Sequence, residues 1–188
     1  MSCFDITLIG GEPCTGKSTL VRRIKNEHNV DIEFQYKKLL KGYRNKDTEI
    51  MGIYNEELFD GTDRLSMAVQ PVFLDYIEQK DNDRHVILEG DRLFKKSLIE
   101  NLSNGKHNFR IIILKASENS KKHRHETRMD DQTEKWLNSK KTTIKNIEKA
   151  YKHSLFQNEN ETDCKKIMSY IMTGGAEREK KPSQCAMF

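Results

Sequence analysis

The apolar residues of this 188-residue chain come in short runs separated by long polar stretches. "FDITLIG" (4–10) alternates and then turns apolar, which predicts a buried strand ending at a glycine-rich turn. In "STLVRRIKNEH", Leu20, Val21 and Ile24 fall on one helical face. "IEFQYKKLLKGYR" (Ile32–Arg44) and "TEIMGIYNEELF" (Thr48–Phe59) are rich in β-formers and predict a pair of strands. In "GTDRLSMAVQPVFLDYIEQK", Leu65, Ala68, Val72, Tyr76 and Ile77 recur at helical spacing, with Pro71 either kinking that helix or opening its second half. "RHVILEGDR" (Arg84–Arg92) predicts a central parallel strand with carboxylates at its C-terminal end, followed by a helix near Phe94–Leu102. "FRIIILKAS" (Phe109–Ser117) predicts another buried strand, with Ser117 as the cap of a following helix.

Beyond Ser117 the pattern changes. "SKKHRHETRMDDQ" tolerates a helix but has almost no apolar face, as in an exposed or mobile element. "TEKWLNSKKTTIKNIEKAY" continues with Trp136, Leu137, Ile144 and Ile147. "HSLFQNEN" predicts a short last strand, and "ETDCKKIMSYIM" a helix with Ile167, Tyr170 and Ile171 on one side. "GGAEREKKPSQCAMF" reads as a loose polar tail. Strands alternating with helices imply an α/β fold with a parallel sheet covered on both faces. Ligands in such sheets bind beyond the carboxyl ends of the strands. The glycine-rich turn and the Glu89–Asp91 cluster would then share one crevice.

Composition narrows the class. Hydrophobic residues make up 35% and charged residues 33%, and no apolar run approaches the ~20 residues of a membrane span. "MSCFDITLIGG" has no basic flank before its apolar run, so a cytoplasmic protein without a membrane partner is expected. Cys3, Cys14, Cys164 and Cys185 lie far apart with no CxxC pair, which argues against a disulfide framework or a zinc site. Net charge is +4, unevenly spread: the stretch from Lys115 to Lys152 holds eleven Lys/Arg against six Asp/Glu. A local basic surplus points to an anionic partner.

The strongest chemical signal is the turn after the first strand. Gly11-Glu12-Pro13-Cys14-Thr15-Gly16-Lys17-Ser18 matches GxxxxGK[ST] in full, with Thr19 following. Glycines there allow tight turns that aim successive backbone N–H groups at phosphate oxygens. The helix that opens at the loop adds its positive N-terminal end. Lys17 would bridge the β- and γ-phosphates of ATP, and the Ser18 hydroxyl would bind Mg²⁺. Mg²⁺ in such sites commonly also needs a carboxylate at the end of a neighbouring strand, which nominates Glu89 and Asp91. Asp63 could accept the proton of an attacking hydroxyl or position the acceptor. It or Thr62 could equally cap the next helix.

Arg124 and Arg128 are four apart, on one helix face, with Lys121 a turn earlier. Guanidinium donors closing over a phosphoryl transition state would stabilise its charge, and a cationic, non-core helix suits a lid. Lys140, Lys141 and Lys145 near Trp136 could meet a nucleic-acid backbone with the ring stacked on a base, or cover a buried Trp. His123 and His125 are two apart and do not share a helix face, so no metal site is expected there. The terminal "CAMF" formally fits a prenylation box, a weak four-residue match.

The order of these parts resembles the small P-loop kinases, the nucleoside and nucleotide kinase-like enzymes, over about Phe4 to Met172. The resemblance rests on the phosphate loop, the strands ending "ILEGDR" and "IIILKA", and the arginine-bearing segment after them. It implies a roughly five-stranded parallel sheet with a lid, Mg-ATP as donor, and an acceptor held opposite the nucleotide. The domain would span residues 1–173, with a lid at about 117–145 and a flexible tail at 174–188. "GTDRLSMAVQP" and "QTEKWLNSKKTTIKNI" are further similar to segments of phage-encoded kinases that phosphorylate 5-hydroxymethyluracil in DNA. The chain departs from deoxynucleoside kinases in having Glu-Gly-Asp-Arg where they carry Asp-Arg-Ser or Glu-Arg-Ser. The only near match to a guanine motif, "NKDT" at Asn45, precedes the central strands, which disfavours a GTPase switch. The expectation is an ATP- and Mg²⁺-dependent kinase acting on a nucleotide or nucleic-acid acceptor, DNA included. The alternatives are a nucleotide-dependent nucleic-acid-binding ATPase and a nucleotide-binding protein without catalysis.

Overall fold

The computed structural model describes residues 5–55, 60–105, 107–128 and 132–174. Its elements run β1 (Ile6–Gly11), α1 (Lys17–Glu27), β2 (Ile32–Tyr36), β3 (Leu40–Arg44), β4 (Thr48–Met51), α2 (Val69–Gln79), β5 (His85–Glu89), α3 (Lys96–Asn104), β6 (Phe109–Lys115), α4 (Glu118–Arg128), α5 (Glu134–Ala150), β7 (Ser154–Gln157) and α6 (Glu161–Met172). A single 3-10 turn, Thr62–Arg64, precedes α2.

The strands form one sheet in the order β2-β3-β4-β5-β1-β6-β7. β4, β5, β1, β6 and β7 are parallel, and β2 and β3 extend one edge antiparallel. The resemblance implies roughly five parallel strands, and five are parallel; β2 and β3 fall where the sequence predicted a single strand over Ile32–Arg44. β1 lies at the centre, between β5 and β6, and all six of its residues are buried. That burial on both faces is why apolar residues stand at adjacent positions, Leu8 and Ile9, and not only at alternate ones.

Alternation along the strands divides the core in two. Ile6, Leu8, Val86, Leu88, Ile111 and Ile113 face α2, α3 and α5, where Phe73, Leu98 and Ile147 meet them. Ile9, Ile87, Ile112 and Leu114 face α1 and α6, packing on Leu20, Ile24 and Ile167. Each of these side chains contributes roughly 1.5–3 kcal/mol by leaving water. At the end of the sheet remote from the loop, Arg110 Nε donates to Thr7 Oγ1 at 2.8 Å, and its guanidinium reaches the carbonyls of Tyr170 and Ile171 at the end of α6. This fastens the last helix to the middle of the sheet.

Two readings of the sequence change here. Ile32–Arg44 is not one strand of a pair but a hairpin in itself, β2 and β3, with Lys37 and Lys38 at positive φ in its turn. The helix expected from Leu65 begins only at Val69, so Pro71 lies in its first turn, where a missing N–H costs nothing. Neither Thr62 nor Asp63 caps it, because both side chains are drawn to the end of β5. Ser117 does cap α4: its Oγ accepts from Ser120 N at 3.2 Å. The CAMF tetrapeptide lies outside the described residues.

Candidate functional site

The glycine loop joins the C-terminal end of β1 to α1. Gly16 precedes α1 with φ +86°, a left-handed conformation that a side chain would strain, and a Cβ there would press on Asn158 Nδ2. Cys14 also has positive φ, 61°, and its carbonyl accepts from Arg124 Nη1 at 3.1 Å. Thr15 is buried; its hydroxyl bonds the Glu12 carbonyl at 2.8 Å, and its own carbonyl accepts from Asn158 Nδ2 at 2.8 Å. Lys17 Nζ folds back across the loop onto the carbonyls of Gly11 and Glu12, each at 3.0 Å. The ammonium thus occupies the middle of the cradle. Pro13 lines the same crevice, and Thr19 lies on the far side of the loop at the start of α1.

Beyond the strand ends lies a cavity of about 70 Å³. Lys17 and Ser18 line it from the loop, and Asp60, Asp63, Glu89 and Asp91 from the segments around β5. Trp136, Lys140, Thr143 and Ile144 of α5 close it from above. Part of the expected lid is therefore anchored, since Ile144 and Ile147 belong to the core.

Each carboxylate is held differently. Glu89 is fully buried, bonded by Ser18 and by Tyr54 Oη at 3.2 Å. Burial pushes its carboxyl up to about 7, against the pull of Lys17. Gly61 packs directly on Glu89, leaving no room for a Cβ. Asp63 Oδ1 accepts from Asp91 N at 2.6 Å. Burial and the neighbouring Asp91 raise the Asp63 carboxyl above its usual range, with Lys17 opposing. Asp91 itself is ion-paired to Lys140 at 2.6 Å, and Asp60 to Arg22 of α1. Among the described residues no group of three His, Cys, Asp or Glu is set to hold a metal unaided.

Arg124 does not enter this cavity. Its guanidinium bonds three carbonyls, those of Cys14, Asn158 (2.9 Å) and Glu159 (3.1 Å), on the outer side of the loop. There it walls a second cavity of about 430 Å³, with Gly16, Thr19, Asn158 and Cys164. Lys121 ties α4 to the loop through Glu12 at 2.7 Å. Arg128 ends α4, and its side chain lies outside the described residues. Trp136 is 36% exposed, with Lys140 Nζ 5.2 Å from its ring centre, so it is neither fully buried nor free.

Sequence reasoning missed Asp60, Tyr54, Gly61, Gln132 and Asn158. Asp60 adjoins the quoted "GTDRLS" and could have been included with it. Asn158 reaches the loop from 143 residues away, and no local pattern announces that.

A central β1 with a phosphate loop at its C-terminal end, parallel neighbours and helices on both faces define an α/β P-loop fold. A gluconokinase from Sinorhizobium meliloti 1021 aligns over 94% of this chain and 94% of its own, with a TM-score of 0.50 at 12% identity. An uncharacterized protein from Eubacterium ventriosum ATCC 27560 aligns over 89% of this chain and 97% of its own, with a TM-score of 0.47 at 16% identity. No protein-family model and no curated protein sequence matches the chain. No helix among the described residues is long and apolar enough to cross a membrane.

Proposed function

We propose that the protein is an ATP-dependent phosphotransferase that moves the γ-phosphate to a hydroxyl held beside Asp63. The observation that carries this reading is the cavity itself. It puts the phosphate-loop residues Lys17 and Ser18 opposite Asp63 and Glu89, under the roof of α5. A solved chain of the same fold is named a kinase, which supports the class.

On this reading the backbone of Gly11–Thr19 and the Lys17 ammonium hold the phosphates, Lys17 leaving its carbonyl partners for the phosphoryl oxygens. Ser18 and Glu89, with Asp91 as a more distant carboxylate, would hold Mg²⁺. When bound, the ion would supply charge neutralisation between the β- and γ-phosphates. The acceptor oxygen attacks the γ-phosphorus while the bond from that phosphorus to the bridging oxygen breaks. ADP departs with the electron pair, and the hydroxyl proton passes to Asp63. A carboxyl raised by burial is better matched to this transfer than an exposed one. The cavity beside Arg124 takes the nucleoside end of ATP, making Arg124 a holder of the nucleotide rather than of the transferring group.

Among acceptors, the hydroxymethyl group of a pyrimidine in DNA suits the partly exposed Trp136, on which a base can stack. The same ring and the basic surplus favour a second reading, a nucleic-acid-stimulated ATPase. Incubation with γ-labelled ATP separates them: label moving to an acceptor is expected, and label released only as phosphate, stimulated by DNA, would favour the ATPase. Lys17→Ala should lower transfer at least a thousandfold with the circular dichroism spectrum unchanged. Full activity in that variant would remove the loop from the mechanism.

A further inference from the structure

The electrostatics of the cavity bear on its acceptor. Four carboxylates line it, from Asp60, Asp63, Glu89 and Asp91, against two cations, Lys17 and Lys140. Lys17 belongs to the loop and goes to the phosphates of ATP. Lys140 is engaged by Asp91 at 2.6 Å. Arg22, the cation nearest Asp60, is consumed by that carboxylate. Those two pairs cancel, which leaves Asp63 and Glu89; the Mg²⁺ of the reading above would go to Glu89 and the ATP phosphates, so among the described residues that line the cavity no unpaired cation is left to meet an anionic acceptor beside Asp63. A second observation points to what the acceptor does present. Gln132 lines the cavity, and its Oε1 is buried with no hydrogen-bond partner among the described residues. A buried acceptor atom left unmatched is costly and is satisfied when a donor arrives.

From these two features we infer that the moiety entering the cavity is an uncharged, hydroxyl-bearing group that donates a hydrogen bond to Gln132, and not a phosphate- or carboxylate-bearing small molecule. The inference rests on the phosphotransferase reading above and adds the substrate class. It sets aside free nucleoside monophosphates. It keeps nucleosides, neutral polyols, and hydroxymethyl bases whose backbone phosphates stay outside the cavity. Gln132 is then a specificity residue, and Asp63 takes the proton of the attacking hydroxyl as described.

The test is a matched panel given to the full-length protein with γ-labelled ATP. Its neutral members are nucleosides, polyols and an oligonucleotide carrying hydroxymethyl pyrimidines; its anionic members are the corresponding monophosphates and sugar acids. Label is expected on a neutral member, with the matched anionic partner at least a hundredfold poorer in kcat/KM. Gln132→Leu should then raise the acceptor KM about tenfold, the loss of one hydrogen bond, with the KM for ATP unmoved. Preferential labelling of a monophosphate or a sugar acid overturns this inference and leaves the phosphotransferase reading intact. An unchanged acceptor KM in Gln132→Leu removes that residue's role and overturns the inference in that part. Label released only as inorganic phosphate, or no turnover with any member, overturns the phosphotransferase reading and the inference with it.

Discussion

Glu89 and Asp63 line the cavity opposite the loop, and both carboxyls are raised by burial. For Glu89 this has a thermodynamic sign. Its folded pKa of about 7 lies above the ordinary 4.5, so the folded state holds the proton more tightly than the unfolded chain does. The stability this confers is complete below about pH 4.5 and is lost as pH rises to about 7. The loss is roughly 3 kcal/mol. Glu89→Gln removes the ionisation without changing the shape. The nucleotide-free variant should therefore melt several degrees above the parent at pH 8 and alongside it at pH 4.5; equal melting at both would refute the shift. Asp63→Asn should lower kcat by about 10²–10⁴ and abolish the fall in rate on the acid side of the pH profile. An acid limb that survives the substitution would assign it to another group. Of these residues the sequence announced the loop most clearly, because its chemistry is contiguous. Asp63 was legible only as one of two options, cap or base. Gln132, in a polar stretch, carried no mark, since its significance lies in a missing partner.

At the scale of elements, the hairpin of β2 and β3 shows why a turn can be invisible. Lys37 and Lys38 adopt φ of 44° and 60°, a region usually taken by Gly or Asn, and neither is there to signal it. The turn is kept by contacts from outside it: Lys37 pairs with Asp75 of α2 at 2.7 Å, beside the Tyr36 ring. Lys38→Gly should relieve the strained backbone and raise stability by about 1 kcal/mol, measured by urea denaturation. A loss instead would mean that Lys38 makes a compensating contact. The buried strands β1, β5 and β6 were readable because each carries a short run of buried apolar residues, and α6 because its apolar positions recur every three to four residues. α4 was readable only as a polar segment, since what fixes it is Arg124 and Lys121 reaching the loop rather than a hydrophobic face.

Across the whole molecule, strand order was the least legible property, because it depends on which buried runs meet and not on any one of them. The basic surplus of residues 115–152 also changes meaning in three dimensions. Part of it is met by acids outside the segment, Lys121 by Glu12 and Lys140 by Asp91. Another long-range contact at the site joins distant parts of the chain, through Asn158 and Thr15. Binding of a non-hydrolysable ATP analogue should therefore slow amide exchange in residues 11–19 and 157–161 together. Protection confined to the loop would show that the two move independently.

The Asn158–Thr15 bond also has a consequence in time. The loop is synthesised before the strands that flank it, and β1 has no strand beside it until residues 85–89 and 109–115 exist. The loop gains the last of its braces, after Lys121 and Arg124, only when Asn158 has been made. During synthesis the cradle is thus written early and completed late, after most of its contacts of long sequence separation have formed. A nascent chain that captures ATP is one whose sheet has already closed.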